Sequence, residues 1–305
     1  MNLNDVVFPL PSFATFILFS VSSFGFVLNF YLLVKFIGRK GRWSGFQKLC
    51  LVKTIPNITV CASFLFWVVP LSLLQFQDVP RFPNVIVGQI AGAGAYIMGP
   101  LIQLCMSGNR CLVLYFPLKQ SIVDKRSSTN LAVSISIIVA VIFTLLGFPE
   151  ECGYIYNPTV FTWSPEPFAC AEFQLDVLMY SVFTLSIISN SLNLITAVKL
   201  LCCNVRYSSR SDALRRRKRR VMMFIQSTVQ DCLHVVDLIN CTYIYLLSNN
   251  LWFQFMFLTL SFVLIYSLDG LVMFHFHPEI HPKFMQSRRT SVASKPIFTV
   301  VSVIL

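Results

Sequence analysis

Seven long apolar runs divided by short polar loops leave this chain very few folds to choose from. The runs extend roughly over 12–36, 46–74, 85–114, 129–148, 174–201, 221–247 and 252–276. Each is near or above the roughly 20 residues that a helix needs to cross a hydrocarbon layer about 30 Å thick. Backbone in hydrocarbon must satisfy its own hydrogen bonds, so only helices and closed barrels span it. No period-two alternation is present, and Phe and Leu lie all round each run, so helices are expected and not barrel strands. Composition agrees. With 55% hydrophobic and 12% charged residues, the chain has too little polar side chain to clothe a soluble domain. The expected fold is an all-α membrane protein: a seven-transmembrane helix bundle over 1–280, followed by a short tail over 281–305. No internal repeat or second domain is visible.

The formal net charge of +11 raises the question of nucleic acid. The placement of the charge answers it. Basic residues stand in short clusters between apolar runs, as loops held at a lipid bilayer do, and no nucleic-acid partner is expected. The first loop carries Arg39, Lys40, Arg42 and Lys48, and the third carries Arg110, Lys119, Lys125 and Arg126. The fifth carries Arg206, Arg210 and the run from Arg215 to Arg220, and the tail carries Lys283, Arg288, Arg289 and Lys295. Lys35, Lys53 and Lys199 are read with them, as stems that snorkel from helix ends to water. Of the 24 lysines and arginines only Arg81 falls on the other side. The positive-inside rule then predicts an amino terminus outside and a carboxyl terminus in the cytoplasm. Residues 1–11 lack a basic segment and no small-residue cleavage site follows the first run, so the first helix is expected to act as an uncleaved anchor.

Cys152 and Cys170 share the long outer loop, while most other cysteines lie within runs. Outside a cell that pair is expected to form a disulfide. The sixth run holds Gln226, Gln230, His234, Asp237 and Cys241 at spacings of three and four, which is one helical stripe. Asp231 lies one step off it, and Asp269 lies in the seventh run. Polar groups at membrane depth face protein or water, so Asn29, Gln226, Gln230, Asp231, His234, Asp237 and Asp269 are expected inside the bundle. Two readings stand side by side: a network that rearranges on activation, and interhelical glue that only holds the packing.

The third run ends in Ser107-Gly108-Asn109-Arg110-Cys111, with Pro117-Leu118-Lys119 after it. This resembles the Asp-Arg-Tyr motif and following Pro-Leu of rhodopsin-like G-protein-coupled receptors, with Asn109 in place of the acid. Elsewhere, Gly25-Phe26-Val27-Leu28-Asn29 is similar to a Gly-x-x-x-Asn motif, and Leu51-Val52-Lys53-Thr54-Ile55-Pro56-Asn57 to Ser-Lys-Thr-Ile-x-Asn, with Val52 in place of the Ser. Gln226, Gln230 and Asp231, then Asp269-Gly270, then His277-Pro278-Glu279-Ile280 match Gln-x-x-x-Gln-Asp, Asp-Gly and, but for His277, Asn-Pro-Glu-Ile. In this order the motifs resemble those of the nematode chemoreceptors called serpentine receptor class x. The sixth-helix Cys-Trp-x-Pro and seventh-helix Asn-Pro-x-x-Tyr of better-known receptors are missing. So is a seventh-helix Lys for retinal.

The resemblance implies a chemosensory receptor, not an enzyme. It would take an extracellular small molecule and activate a heterotrimeric G protein from the plasma membrane, in sensory cilia. By position, Asn109, Arg110, Pro117, Leu118, Arg219 and Arg220 would meet the G protein. Arg288-Arg289-Thr290-Ser291 resembles a kinase site, where phosphate would recruit an arrestin. Depth in the bundle marks Gln89, Tyr96, Tyr180, Asp237, Tyr243 and Trp252 as pocket candidates. Asp237 there would suit apolar or amine-bearing ligands. No metal or cofactor is expected. A ligand-gated channel or a transporter using the intramembrane Asp residues is the alternative.

Overall fold

The computed structural model describes residues 10–39, 44–74, 79–115, 126–158, 161–202 and 211–281. Among these, seven long helices follow one another: α1 (Leu10–Ile37), α2 (Gly45–Leu74), α3 (Arg81–Tyr115), α4 (Arg126–Leu145), α5 (Ala169–Cys202), α6 (Ser211–Thr242) and α7 (Leu251–Phe276). Six of them are long and apolar enough to cross a membrane. The exception is α6, whose apolar run is interrupted by Gln226, Gln230, Asp231, His234 and Asp237; the helix also begins well before that run, because Ser211–Arg220 continue it. Arg and Lys are good helix formers, so a basic run need not be a loop.

Local chemistry sets several boundaries. Ser44 and Gln47 form a reciprocal capping box at the start of α2: Ser44 Oγ accepts from the Gln47 amide at 3.3 Å, and Gln47 Oε1 accepts from the Ser44 amide at 3.2 Å. Such caps contribute about 1 kcal/mol by satisfying orphan donors. Asn250 caps α7 through the amide of Trp252 at 2.8 Å. Wide π turns interrupt three helices, at Phe64–Val68 in α2, Gln89–Gly94 in α3 and Phe255–Leu260 in α7.

The helices close into a ring, with α1 touching both α2 and α7, and α5, α6 and α7 packing in sequence. At its centre runs α3, which meets α2, α4, α5 and α6 and is buried over 72% of its most apolar window. By contrast α4 lies at the edge, with Leu131, Ile135, Ile138, Ile142 and Leu145 exposed. An outward face of this kind suits lipid as solvent.

No strand is expected from the sequence, but the loop between α4 and α5 contains a hairpin. β1 (Tyr154–Asn157) pairs antiparallel with β2 (Thr162–Pro165), Tyr154 opposite Pro165 and Asn157 opposite Thr162. Tyr, Ile, Thr and Trp suit a pleated surface. The hairpin is laid across one end of the bundle, so its aromatic residues are buried against helices. Tyr156 donates its amide to Asn84 Oδ1 on α3 at 2.9 Å, and its hydroxyl lies 2.6 Å from Ser72 Oγ on α2. Phe161 takes a left-handed backbone, φ 55°, and stacks edge-on against Phe255. Burying that ring offsets the strain of the turn.

Two bonds pin the hairpin at its base. Cys152 and Cys170 form a disulfide with Cα atoms 4.9 Å apart. Arg81, at the start of α3, grips Glu166 with Nε to Oε1 at 2.6 Å and Nη2 to Oε2 at 2.8 Å, while the Gly153 amide donates to Oε2 at 2.8 Å. The hydrogen bond from Arg81 holds the Glu166 carboxyl below its ordinary range.

Candidate functional site

Six of the seven helices meet through one buried chain of polar side chains. Its centre is Lys53 on α2, which is fully buried. The ammonium donates to Gln103 Oε1 on α3 at 2.5 Å. It also lies 3.5 Å from Asp269 Oδ1 on α7 and 3.5 Å from His234 Nε2 on α6. This corrects the sequence reading of Lys53 as a snorkelling residue at a helix end. A buried ammonium is tolerated only with a counter-charge and hydrogen bonds, and both are supplied here.

The chain continues in both directions. Asn57 donates to Asp269 Oδ2 at 3.1 Å and to Asn29 Oδ1 on α1 at 3.0 Å. Asn29 in turn donates to the carbonyls of Gly25 at 2.8 Å and Tyr266 at 3.2 Å. The approach of α1 to α7 requires glycine at 270, where a Cβ would fall 2.6 Å from the Asn29 amide. On the other side, Gln103 Nε2 donates to the Ser227 carbonyl at 2.9 Å and its hydroxyl at 2.8 Å. Asp231 on α6 accepts from Ser189 on α5 at 3.0 and 3.1 Å, from Ser107 on α3 at 3.5 Å, and from Asn193.

One turn beyond Ser107 on α3 lies Arg110, more than nine-tenths buried. Its guanidinium stacks over the Phe46 ring at 4.6 Å. None of its three nitrogens has a hydrogen-bond acceptor among the described residues. Its electrostatic neighbours are Cys50 and Asp231. Gln226 also reaches Cys50, at 3.9 Å, and both amide atoms of buried Gln230 are unpartnered among the described residues. Beside them Asn109, half-buried, lies close to Gly45 of α2. Arg219 and Arg220 lie within α6. Pro117, Leu118 and the kinase-like site at Arg288 to Ser291 fall outside the described residues.

Towards the hairpin end the bundle holds a cavity of about 80 Å³. Its wall includes Gly92 and Tyr96 of α3, Tyr154 and Trp163 of the hairpin, Cys241 of α6 and Phe262 of α7. The Tyr96 hydroxyl lies 3.5 Å from Cys241 Sγ. Asp237 is buried outside this wall and accepts from Ser261 at 2.8 Å, which in turn accepts from Asn240 at 3.0 Å.

Of the pocket candidates read from depth, Tyr96 alone lines this cavity. Gln89 is buried, but it exchanges hydrogen bonds with Gln174, at 3.1 Å for Gln174 Nε2 to Gln89 Oε1. Trp252 packs edge-on between Phe13 and Phe255. Tyr180 and Tyr243 are both exposed and line a separate, outward groove between α5 and α6. Helical phase explains it. A tyrosine at the right depth faces lipid when its neighbours three and four residues away do. The residues that sequence reasoning missed are Lys53, Asn57, Gln103, Ser107, Ser189, Asn193 and Ser227 in the network, and Tyr154 and Trp163 at the cavity. Serine and asparagine singly placed in apolar runs carry no pattern. The hairpin aromatics lie outside the runs altogether.

The family model of the serpentine type 7TM GPCR chemoreceptor Srx matches residues 19–277, most of the chain. No curated protein matches it significantly.

Proposed function

We propose that this chain, which belongs to the serpentine type 7TM GPCR chemoreceptor family Srx, binds a small molecule beneath the hairpin and signals to a heterotrimeric G protein at its basic end. The hairpin end would face outside and the basic end the cytoplasm. The observation that carries this reading is the polar chain joining six helices between the two ends. It pairs Lys53 with Asp269 at 3.5 Å and reaches Ser107, one turn from Arg110. Polar contacts between packed helices have discrete arrangements, so a ligand that favours one arrangement shifts the whole bundle. Arg110, buried with no acceptor for its guanidinium among the described residues, is the group that gains most from a partner at that end.

The Arg110→Ala variant tests this. In cells with a promiscuous G protein it should reach the surface at the wild-type level and lose the ligand-evoked calcium response by about tenfold or more. An unchanged response at equal surface level removes Arg110 from coupling. A response that persists in cells lacking G proteins points instead to an ion channel.

A further inference from the structure

We propose that the cavity beneath the hairpin selects small neutral molecules that carry a hydrogen-bond acceptor oxygen, such as ketones and esters, over amines and hydrocarbons. This rests on the reading of that cavity as the ligand site.

The first argument is the unpaired donors. Trp163 and Tyr154 both line the cavity, and both are more than nine-tenths buried. Trp163 Nε1 and Tyr154 Oη have no hydrogen-bond partner among the described residues. Buried polar groups are almost always paired, so two orphans closed in just behind one wall of the cavity mark a place where a partner is expected. An indole N–H is only a donor, and only an acceptor satisfies it. A protonated amine offers donors alone, and a hydrocarbon offers nothing.

Charge gives the second argument. No carboxylate lines this cavity. Two nearby acids lie outside the wall: Asp237 is already engaged by Ser261 at 2.8 Å, and Asp176, which acts on Tyr154, is exposed in the outward groove between α5 and α6. An ammonium in the cavity would therefore be buried with no carboxylate in contact, at a cost. This departs from the preference for apolar or amine-bearing ligands that the sequence position of Asp237 suggests.

Shape is the third. At about 80 Å³ the cavity is well below the roughly 300–1,000 Å³ of sites for drug-sized ligands. Its walls combine the rings of Tyr96, Tyr154, Trp163 and Phe262 with the aliphatic side chains of Leu175, Leu178, Met179 and Leu258. Two of the three π turns reach its wall, and the third packs behind it. Gly92 of α3 and Leu258 of α7 belong to two of them and line the cavity. Phe64 of the α2 turn meets the Trp163 ring edge-on at 4.9 Å. Single π turns are rare and gather at functional sites, because they move side chains out of regular helical phase.

The test compares butanone, sec-butylamine and isopentane, which share one skeletal size, with ethyl acetate as a second acceptor. Binding is read as ligand-dependent thermal stabilisation of the full-length receptor in nanodiscs, and the response as calcium in cells. The expected result is that butanone and ethyl acetate bind at least about tenfold more tightly than the amine and the alkane. Trp163→Phe, which keeps a ring against Phe64, should remove most of that margin, and Tyr154→Phe should remove part of it. Gly92→Ala should narrow the site without disturbing the fold, since its Cβ would sit 3.8 Å from Trp163 Cβ; ethyl acetate should lose more affinity than butanone. Equal binding of all probes, tighter binding of the amine, no binding of either acceptor, or a Trp163→Phe receptor that keeps the margin overturns the proposal. Binding in nanodiscs without a cellular response would instead count against coupling and leave the ligand assignment intact. An amine response lost in Asp237→Asn would keep the receptor reading and sink this one.

Discussion

Lys53 stands eight residues past Gly45, about 12 Å along the axis at ~1.5 Å per residue. That is too deep for its stem to reach water, and its charge is met inside the bundle by Asp269 and Gln103. Removing one partner of such a pair leaves an uncompensated buried charge, which costs about 3–5 kcal/mol. Lys53→Met and Asp269→Asn should therefore each lower the thermal midpoint of the purified receptor. The double variant should recover much of the loss, because Asn at 269 still offers Asn57 an acceptor and Met needs no counter-charge. Losses that simply add would show that the two side chains act independently. The sequence alone could not separate Lys53 from Lys35 or Lys199. All three sit in apolar runs near basic loops, and only the true start of α2 at Gly45 sets the depth.

At the scale of elements, the helices are legible because length and apolar content suffice to place them, and α7 differs from its apolar run by only one residue at its start. The hairpin is not, because four-residue strands carry too little pattern and their aromatics are buried by helices distant in sequence. Its attachment makes two predictions. Replacing Cys152 and Cys170 by Ala opens a closed loop of sequence separation 18, which in the chain-entropy model costs about 3 kcal/mol. The variant should melt earlier and reach the surface at lower level. Glu166 supplies a pH dependence. Its carboxyl is held below its ordinary 4.5 by Arg81. The stability it contributes is fully present above 4.5 and is lost as pH falls through the lowered folded value. Wild type should thus lose an increment of stability on acidification below that point which Glu166→Gln, already without the charge, does not show. Parallel melting curves of the two proteins across that window would remove the Arg81–Glu166 contact as a pH-sensitive clasp.

For the whole molecule, two separate physical arguments give the same orientation. In the sequence, Lys and Arg crowd the connections between α1 and α2, α3 and α4, and α5 and α6, the alternate connections to the one that holds the hairpin, and basic loops stay on the cytoplasmic side during insertion. The Cys152–Cys170 bridge sits at the other end, and disulfides persist where the surroundings oxidise. Both would place the hairpin outside, over the cavity, and leave Arg110 near the cytoplasm. A tag before Leu10 should then be reached by antibody on intact cells, and one after Leu305 only after permeabilisation. Thiol labelling supplies an independent reading. A membrane-impermeant maleimide should label neither Cys152 nor Cys170 until an impermeant reductant is added to intact cells, and both afterwards. If the carboxyl-terminal tag is the one exposed, the hairpin would lie in a reducing compartment, its bridge would not persist, and ligand and G protein would exchange ends. Such a result would leave the helix bundle and its buried network standing but would overturn the signalling direction assigned to them.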